Sequence, residues 1–299
     1  MRPEKASVRR FYDSFGWRKN SSGTYNDTAS FVDLRTVLGS YYHRTQVRLN
    51  RYLRPRGEYF LDAGCGPVSQ PEYLTYSAGY RHRVCVDLSL HGLVQARYKL
   101  GTHALCVVAD LVSLPFRRDV FDAVLASHVL YHIPADEQLA AIHEFYRTLR
   151  DGARCVIIYI WPTSIATELI RNTPCSQPIQ LAPTLYFAPQ DYEWFVANLP
   201  KQWRVDFRPW RSVDMAFTQE VIADNAVGAL ILNLIYSLEE MLPHWIARVG
   251  RYPLIILEKK QAPAFDSTRP RSGSPWRRTE IVRAAAQGVG VERAAPGGF

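Results

Sequence analysis

Three aspartates, Asp62, Asp87 and Asp110, each close a short apolar run: Phe60-Leu61, Val84-Cys85-Val86, and Ala104 to Ala109. If the runs are neighbouring strands of an open parallel sheet, their C-terminal ends lie along one rim, where ligands bind. A carboxylate on that rim can accept hydrogen bonds from the paired hydroxyls of a ribose. Another can accept from an exocyclic amine or a charged amino group. A single acid at a strand end is explained by its taste for turns and helix caps. Three in a row, the first followed by Gly64-Cys65-Gly66, point to a site. The two glycines permit a turn too tight for a side chain and let a ligand approach the main chain. A strand that ends in such a turn and feeds a helix is where nucleotide-like ligands bind in doubly wound α/β proteins.

The elements that must position these groups alternate regularly. Strands are expected at Tyr59 to Leu61, Arg83 to Asp87, Ala104 to Ala109, Val120 to Ala126 and Cys155 to Ile160. Between them fall helices: one from Pro71-Glu72, one capped by Ser89 and ended by Gly101, and one carrying Leu139, Ile142, Phe145 and Leu149 and stopped by Gly152. Near-continuous apolar strands alternating with helices indicate a parallel sheet covered on both faces. After Trp161-Pro162 the spacing predicts a helix over 190–198, a strand near Val205-Asp206-Phe207, a helical stretch over 218–247 and a last strand from Pro253 to Leu257. Before the sheet, residues 8–53 read as a short helix, a polar loop and a longer helix with Phe31, Leu34, Val37 and Leu38 on one face. The expected organisation is an N-terminal helical lid (1–56), an α/β domain (57–260) with a substrate-side insertion at about 211–249, and a basic, disordered tail (261–299) holding a short helix from Thr279 to Gln287.

With 299 residues, 47% hydrophobic and 21% charged, the chain can bury one substantial core. Its basic character sits at the ends: residues 1–56 hold 12 Lys and Arg against 4 acids, residues 57–260 hold 18 against 21, and the tail 6 against 3. A basic N-terminal segment suits an anionic partner or a solvated face. No signal peptide is evident, and the longest apolar run, Ala226 to Leu238, is too short to cross a bilayer. The five cysteines form no C-x-x-C pair; buried thiols in a reducing cytoplasm are expected, with no metal site.

From about residue 57 to 260 the chain resembles class I S-adenosylmethionine-dependent methyltransferases of the small-molecule type. The matching stretches are Phe60-Leu61-Asp62-Ala63-Gly64-Cys65-Gly66, Val84-Cys85-Val86-Asp87, Ala109-Asp110-Leu111 with Leu114-Pro115-Phe116, Phe121-Asp122-Ala123-Val124-Leu125-Ala126-Ser127, and Leu149-Arg150-Asp151-Gly152. The resemblance implies a Rossmann-like, doubly wound seven-stranded sheet, mostly parallel with the last strand antiparallel. It implies S-adenosyl-L-methionine as cofactor, with Asp62, Gly64 and Gly66 around its methionine part, Asp87 on the ribose, Asp110 and Leu111 on the adenine, and Ser127 counted with them. Where many relatives carry a third small residue, this chain has Pro67-Val68-Ser69. A dinucleotide-binding dehydrogenase is the competing class, but it wants G-x-G-x-x-G and position 69 is Ser.

Methyl transfer from a sulfonium is an in-line displacement, and a hydroxyl acceptor must also lose a proton. His128, directly after the fourth strand, is the expected base, and His132 a weaker candidate. Their four-residue spacing suits a metal pair on a helix, but no third ligand is visible. Tyr12, Trp17 and Tyr25 are expected either in the core or in a lid over the cationic cofactor, with His43 and Arg44 near an anionic substrate. The expected substrate is a small metabolite methylated on oxygen, less favourably on nitrogen. The rivals are RNA or another large anionic substrate, and a non-catalytic cofactor-binding protein. No Asn-Pro-Pro-aromatic motif follows the fourth strand, so nucleic acid is not the expected partner, and neither is a membrane.

Overall fold

The computed structural model describes residues 1–170 and 185–260. Seven strands form one sheet in the order β3-β2-β1-β4-β5-β7-β6. They are β1 (Gly57–Ala63), β2 (Tyr80–Asp87), β3 (Ala104–Val108), β4 (Phe121–Ser127), β5 (Leu149–Ile158), β6 (Trp203–Arg211) and β7 (Tyr252–Lys259). All neighbours pair in parallel except β7, which runs antiparallel to both β5 and β6. This is the doubly wound sheet with an antiparallel last strand that the resemblance implies. At the centre Leu61 stands opposite Val84 on one side and Val124 on the other, all three fully buried. Apolar runs without alternation are what a strand covered on both faces requires.

Ten helices accompany the sheet among the described residues: α1 (Pro3–Phe11), α2 (Asn26–Phe31), α3 (Gly39–Arg48), α4 (Leu90–Leu100), α5 (Gln138–Thr148), α6 (Ile165–Ile170), α7 (Tyr192–Asn198), α8 (Met215–Val221), α9 (Ala226–Met241) and α10 (Pro243–Val249). Ser89 caps α4, its Oγ accepting from Gly92 N at 3.1 Å, and Gly101 ends the helix with a φ of +57°. Ala141, Ile142 and Phe145 of α5 face the core.

Several expectations shift. The turn at Pro71–Ser77 is 3₁₀. Leu149 opens β5 instead of closing α5, and Gly152 lies inside that strand. The single helix over residues 31–53 is broken by extended backbone at Val32 and Arg35, and Leu34 is exposed. The stretch 218–247 is divided among α8, α9 and α10, with a bend of 111° between the last two. No single helix among the described residues is long and apolar enough to cross a membrane. The tail helix at Thr279 to Gln287 lies outside the described residues.

The N-terminal helices and the 211–249 segment share a small core of their own, in which Leu38 and Tyr41 pack with Val213, Ile222 and Leu232. At its edge Arg48 of α3 meets Glu239 of α9 at 2.9 Å, both fully buried. Two stretches nearly two hundred residues apart thus form one cap.

Candidate functional site

The C-terminal ends of β1, β2, β3, β4 and β6 surround a cavity of about 580 Å³, a size usual for small-molecule sites. Gly64, Asp87, Asp110, Leu111, Ser127, His128 and His132 all line it. Asp62 and Gly66 do not. Asp62 is buried and turned away, its Oδ2 accepting from Arg83 Nε at 2.9 Å and Nη2 at 2.6 Å. Gly66 (φ +50°) is covered by Trp17; a Cβ there would lie 2.7 Å from the indole ring. Gly64 (φ +71°) leaves room for Val129 in the same way. Beyond the turn Val68 also takes a left-handed φ, +50°, a strained state for a β-branched residue, with its side chain buried against Leu93 and Ala96.

Asp87 is held by the turn it faces. Its Oδ2 accepts from Gly66 N and its Oδ1 from Ser89 N, both at 2.8 Å. It has no cationic partner among the described residues, and burial pushes its carboxyl up to about 6. Each oxygen keeps a lone pair beyond its single protein donor. Trp17 Nε1, in the wall of the same cavity, is buried without a partner. An uncompensated carboxylate and an orphaned donor fit a bound diol-bearing nucleoside, so the residues present are compatible with S-adenosylmethionine.

Asp110 faces the N-terminal helix: Lys5 Nζ reaches its Oδ2 at 2.6 Å and also contacts Glu137. Arg2, on the residue before α1, pairs with Asp136 at 2.7 Å. Behind them Tyr12 and Trp17 stack with centroids 4.5 Å apart, and Gln95 donates to the Trp17 carbonyl while accepting from Tyr25. Tyr12 and Trp17 therefore wall the cavity, whereas Tyr25 anchors the segment to α4. His43 and Arg44 do not line the cavity; they pair with Glu72 and Asn233.

His128 adopts a φ of +56°, a left-handed state that histidine tolerates better than most residues. Its N–H donates to the Ile158 carbonyl, and its Nδ1 lies 3.0 Å from the Tyr131 hydroxyl. Burial, then the charges of Arg211 and His132, pushes the imidazole down to about 3. It is neutral at physiological pH, but far from the near-neutral value a general base wants. His132 is engaged at both nitrogens. Its Nδ1 donates to the Tyr186 carbonyl (2.8 Å), which leaves Nε2 to accept from the Tyr12 hydroxyl (3.2 Å).

Two cavity residues escape sequence reasoning. Asp27, in the first turn of α2, is pushed up to about 7 by burial. Arg211, at the end of β6, is a buried cation among aromatic rings. Neither carries a motif. Asp62, Cys65 and Cys85 gather within 4.8 Å, but Arg83 already occupies Asp62; burial raises the Cys65 thiol, and at Cys85 the lowering contact with Cys106 is outweighed by the hydrogen bond with Cys65 and by burial. Cys106 is exposed, contrary to the expectation of buried thiols.

Residues 61–157 match the family described as a methyltransferase domain. Among curated relatives, the chain is 27% identical over 144 residues to the ubiquinone/menaquinone biosynthesis C-methyltransferase UbiE of Roseobacter denitrificans, covering 46% of this chain and 57% of that one. It is 32% identical over 137 residues to the tRNA (carboxymethyluridine(34)-5-O)-methyltransferase alkbh8 of Xenopus tropicalis, covering 44% of this chain and 20% of that one. The chain thus spans less than two thirds of the length of these relatives. Among solved structures, geranyl diphosphate C-methyltransferase from Streptomyces coelicolor, in complex with S-adenosyl-L-homocysteine, superposes with a TM-score of 0.52 at 14% identity, over 86% of this chain and 98% of that one. That likeness concerns the fold.

Proposed function

We infer that this chain, which carries a class I S-adenosylmethionine-dependent methyltransferase domain, methylates an oxygen of a small molecule. The observation that carries the reading is Asp87: a partly buried carboxylate without a cation, at the end of β2, in a cavity shared with Asp110 and with the β4 end. In this reading Asp87 accepts from the ribose hydroxyls. Asp110 and Leu111 flank the adenine, with Lys5 holding the Asp110 carboxylate in place. Gly64 and Ser127 give the main chain close approach on the other side. Bound cofactor supplies an electrophilic methyl group. Asp62 and Gly66 act indirectly, Asp62 by bracing the turn through Arg83 and Gly66 by admitting the Trp17 ring.

The acceptor end is walled by Tyr131, His128, Trp210, Tyr252 and Phe187. A ring-lined chamber of this kind favours a small molecule over a polynucleotide. The basic N-terminal segment also offers less to RNA than its composition suggests. Arg2, Lys5, Arg9, Arg35, Arg48 and Arg51 each meet a carboxylate of the protein itself. His128 orients the acceptor as a neutral hydrogen-bonding group. Where the acceptor oxygen carries a proton, its removal is assigned to Asp27, which lines the same cavity. The lid is the 1–56 segment together with 211–249, and Cys85 and Cys106, opposite each other in register yet unbonded, suit a reducing cytoplasm.

The experiment is product formation. Incubated with S-adenosylmethionine, the protein should release S-adenosylhomocysteine in the presence of a small-metabolite fraction and not with total RNA. Release with RNA alone, or with neither, overturns the reading.

A further inference from the structure

At the acceptor end of the cavity stands a cation with no carboxylate to meet it. Arg211 closes β6 and is 5% exposed. Its guanidinium carbon lies 4.5 Å from the ring centroid of Tyr252, 4.7 Å from that of Tyr42 and 5.1 Å from that of Trp210. Arg211 Nε is buried without a hydrogen-bond partner, and so is the Tyr42 hydroxyl in the same wall. The acids of this part of the fold are committed elsewhere: Glu239 to Arg48 at 2.9 Å, Asp33 to Arg35 at 2.7 Å, Asp214 to Arg251 at 3.5 Å. Among the described residues none pairs with Arg211, and the stretch 171–184 contains no Asp or Glu in its sequence.

Ring faces hold a guanidinium in place and offset part of its desolvation, but they bring no opposite charge. An unpaired buried charge is costly unless something that binds there supplies the partner. The neighbours of Arg211 leave that role open. Trp210 joins it to His128, whose ring centroid is 4.8 Å from the indole, and His128 is neutral. This end of the cavity therefore presents one positive charge, one neutral imidazole and one free hydroxyl.

We propose that Arg211 seats a carboxylate of the acceptor, which makes the acceptor a small aromatic or unsaturated carboxylic acid. The forked N–H groups of a guanidinium match the two oxygens of a carboxylate. One unit of buried positive charge is balanced by one unit of negative charge. A phosphate dianion would leave an excess in the same low-dielectric chamber. The Tyr42 hydroxyl completes the set as a donor, and the rings of Trp210 and Tyr252 flank the body of the ligand. The proposal rests on the reading of the chain as a methyltransferase and names the substrate class of that site.

The test measures binding of benzoate, 3-phenylpropionate and cinnamate, of their primary amides, and of phenylphosphonate, to the full chain saturated with S-adenosylhomocysteine. Wild type should bind at least one carboxylate about tenfold or more tightly than its amide. Arg211→Met should lose that preference, Arg211→Lys should keep part of it, and both should bind S-adenosylhomocysteine within about twofold of wild type. Wild type alone decides the matter if Arg211→Met does not fold. Equal affinity for every acid and its amide, tighter binding of phenylphosphonate, or a preference that survives in Arg211→Met overturns the proposal. Failure of wild type to bind S-adenosylhomocysteine overturns the methyltransferase reading instead.

Discussion

Lys5 Nζ lies 2.6 Å from Asp110 Oδ2, so the third acid-ended strand is latched by the first helix of the chain. The Lys5 side chain is nearly buried, and Glu137 supplies a second carboxylate. Burial works against its charge, but the two hydrogen-bonded acids win and raise it. Lys5→Met should cost about 1–2 kcal/mol of stability, because the partners remain partly exposed. It should also weaken S-adenosylhomocysteine binding by about tenfold and speed proteolysis within residues 1–19. Unchanged affinity and proteolysis would show that α1 does not close the site.

The Arg48–Glu239 pair joins the two halves of the cap. Arg48→Met leaves a buried carboxylate uncompensated and should cost about 3 kcal/mol in urea denaturation. The Tyr41 hydroxyl and the Ser212 N–H and hydroxyl all donate to the same Glu239. Combining Arg48→Met with Glu239→Gln should therefore cost less than the sum of the single losses, with a coupling of about 1–3 kcal/mol. Additive losses would contradict a direct interaction.

Stability against pH follows from four cavity groups. With His128 down to about 3 and His132 to about 4, the unfolded chain binds protons that the folded chain refuses between those values and about 6.5. Their contribution is thus lost as pH falls through that window, at about 1.4 kcal/mol per unit for each group. Asp27, up to about 7, and Asp87, up to about 6, act in the opposite sense, since the folded chain keeps protons that the unfolded one releases. Their contribution is lost as pH rises from about 4. The two sets offset each other between about pH 4 and 6. His128→Asn, which tolerates the left-handed backbone, should tilt the difference profile so that stability falls with rising pH. Asp27→Asn should tilt it the other way. Denaturation at pH 4.5, 5.5 and 6.5 checks both, and identical slopes in all three proteins would contradict the buried states assigned here.

Gly66 accommodates Trp17 as well as the turn. Gly66→Ala places a Cβ 2.7 Å from the indole at a φ of +50°. It should cost about 1–3 kcal/mol and shift Trp17 away from the cavity wall. The expected readout is a loss of S-adenosylhomocysteine affinity that Trp17→Ala does not deepen further. Full affinity in Gly66→Ala would separate the turn from the lid.

The sheet was legible because its information is local. Apolar runs ended by Asp62, Asp87 and Asp110 lie within fifty residues, and each strand's neighbour in that half of the sheet is close in the chain. In the sequence Asp62 points toward the ligand, because nothing marks Arg83, the first residue of an expected strand, as its partner. Arg211 was invisible for a stronger reason. Nothing in Arg208-Pro209-Trp210-Arg211 distinguishes a buried cation from a solvated one; only the arrival of Tyr42 and Tyr252 from distant parts of the chain does. Asp27 likewise acquires its character from burial, under helices of 1–56 that join 211–249 through contacts no spacing rule anticipates. The low value of the His128 imidazole has the same cause, since burial and the charge of Arg211 come from the tertiary fold.

Asp87 carries the account, and calorimetric titration of S-adenosylhomocysteine into wild type and Asp87→Asn tests it most directly. Wild type should bind with one site per chain, and Asp87→Asn should bind about tenfold or more weakly while keeping its circular dichroism spectrum, as expected for loss of charge-assisted hydrogen bonds to a ligand diol. Wild-type protein that does not bind, or an Asp87→Asn variant that binds as tightly as wild type, would contradict the assignment of this rim as the cofactor site.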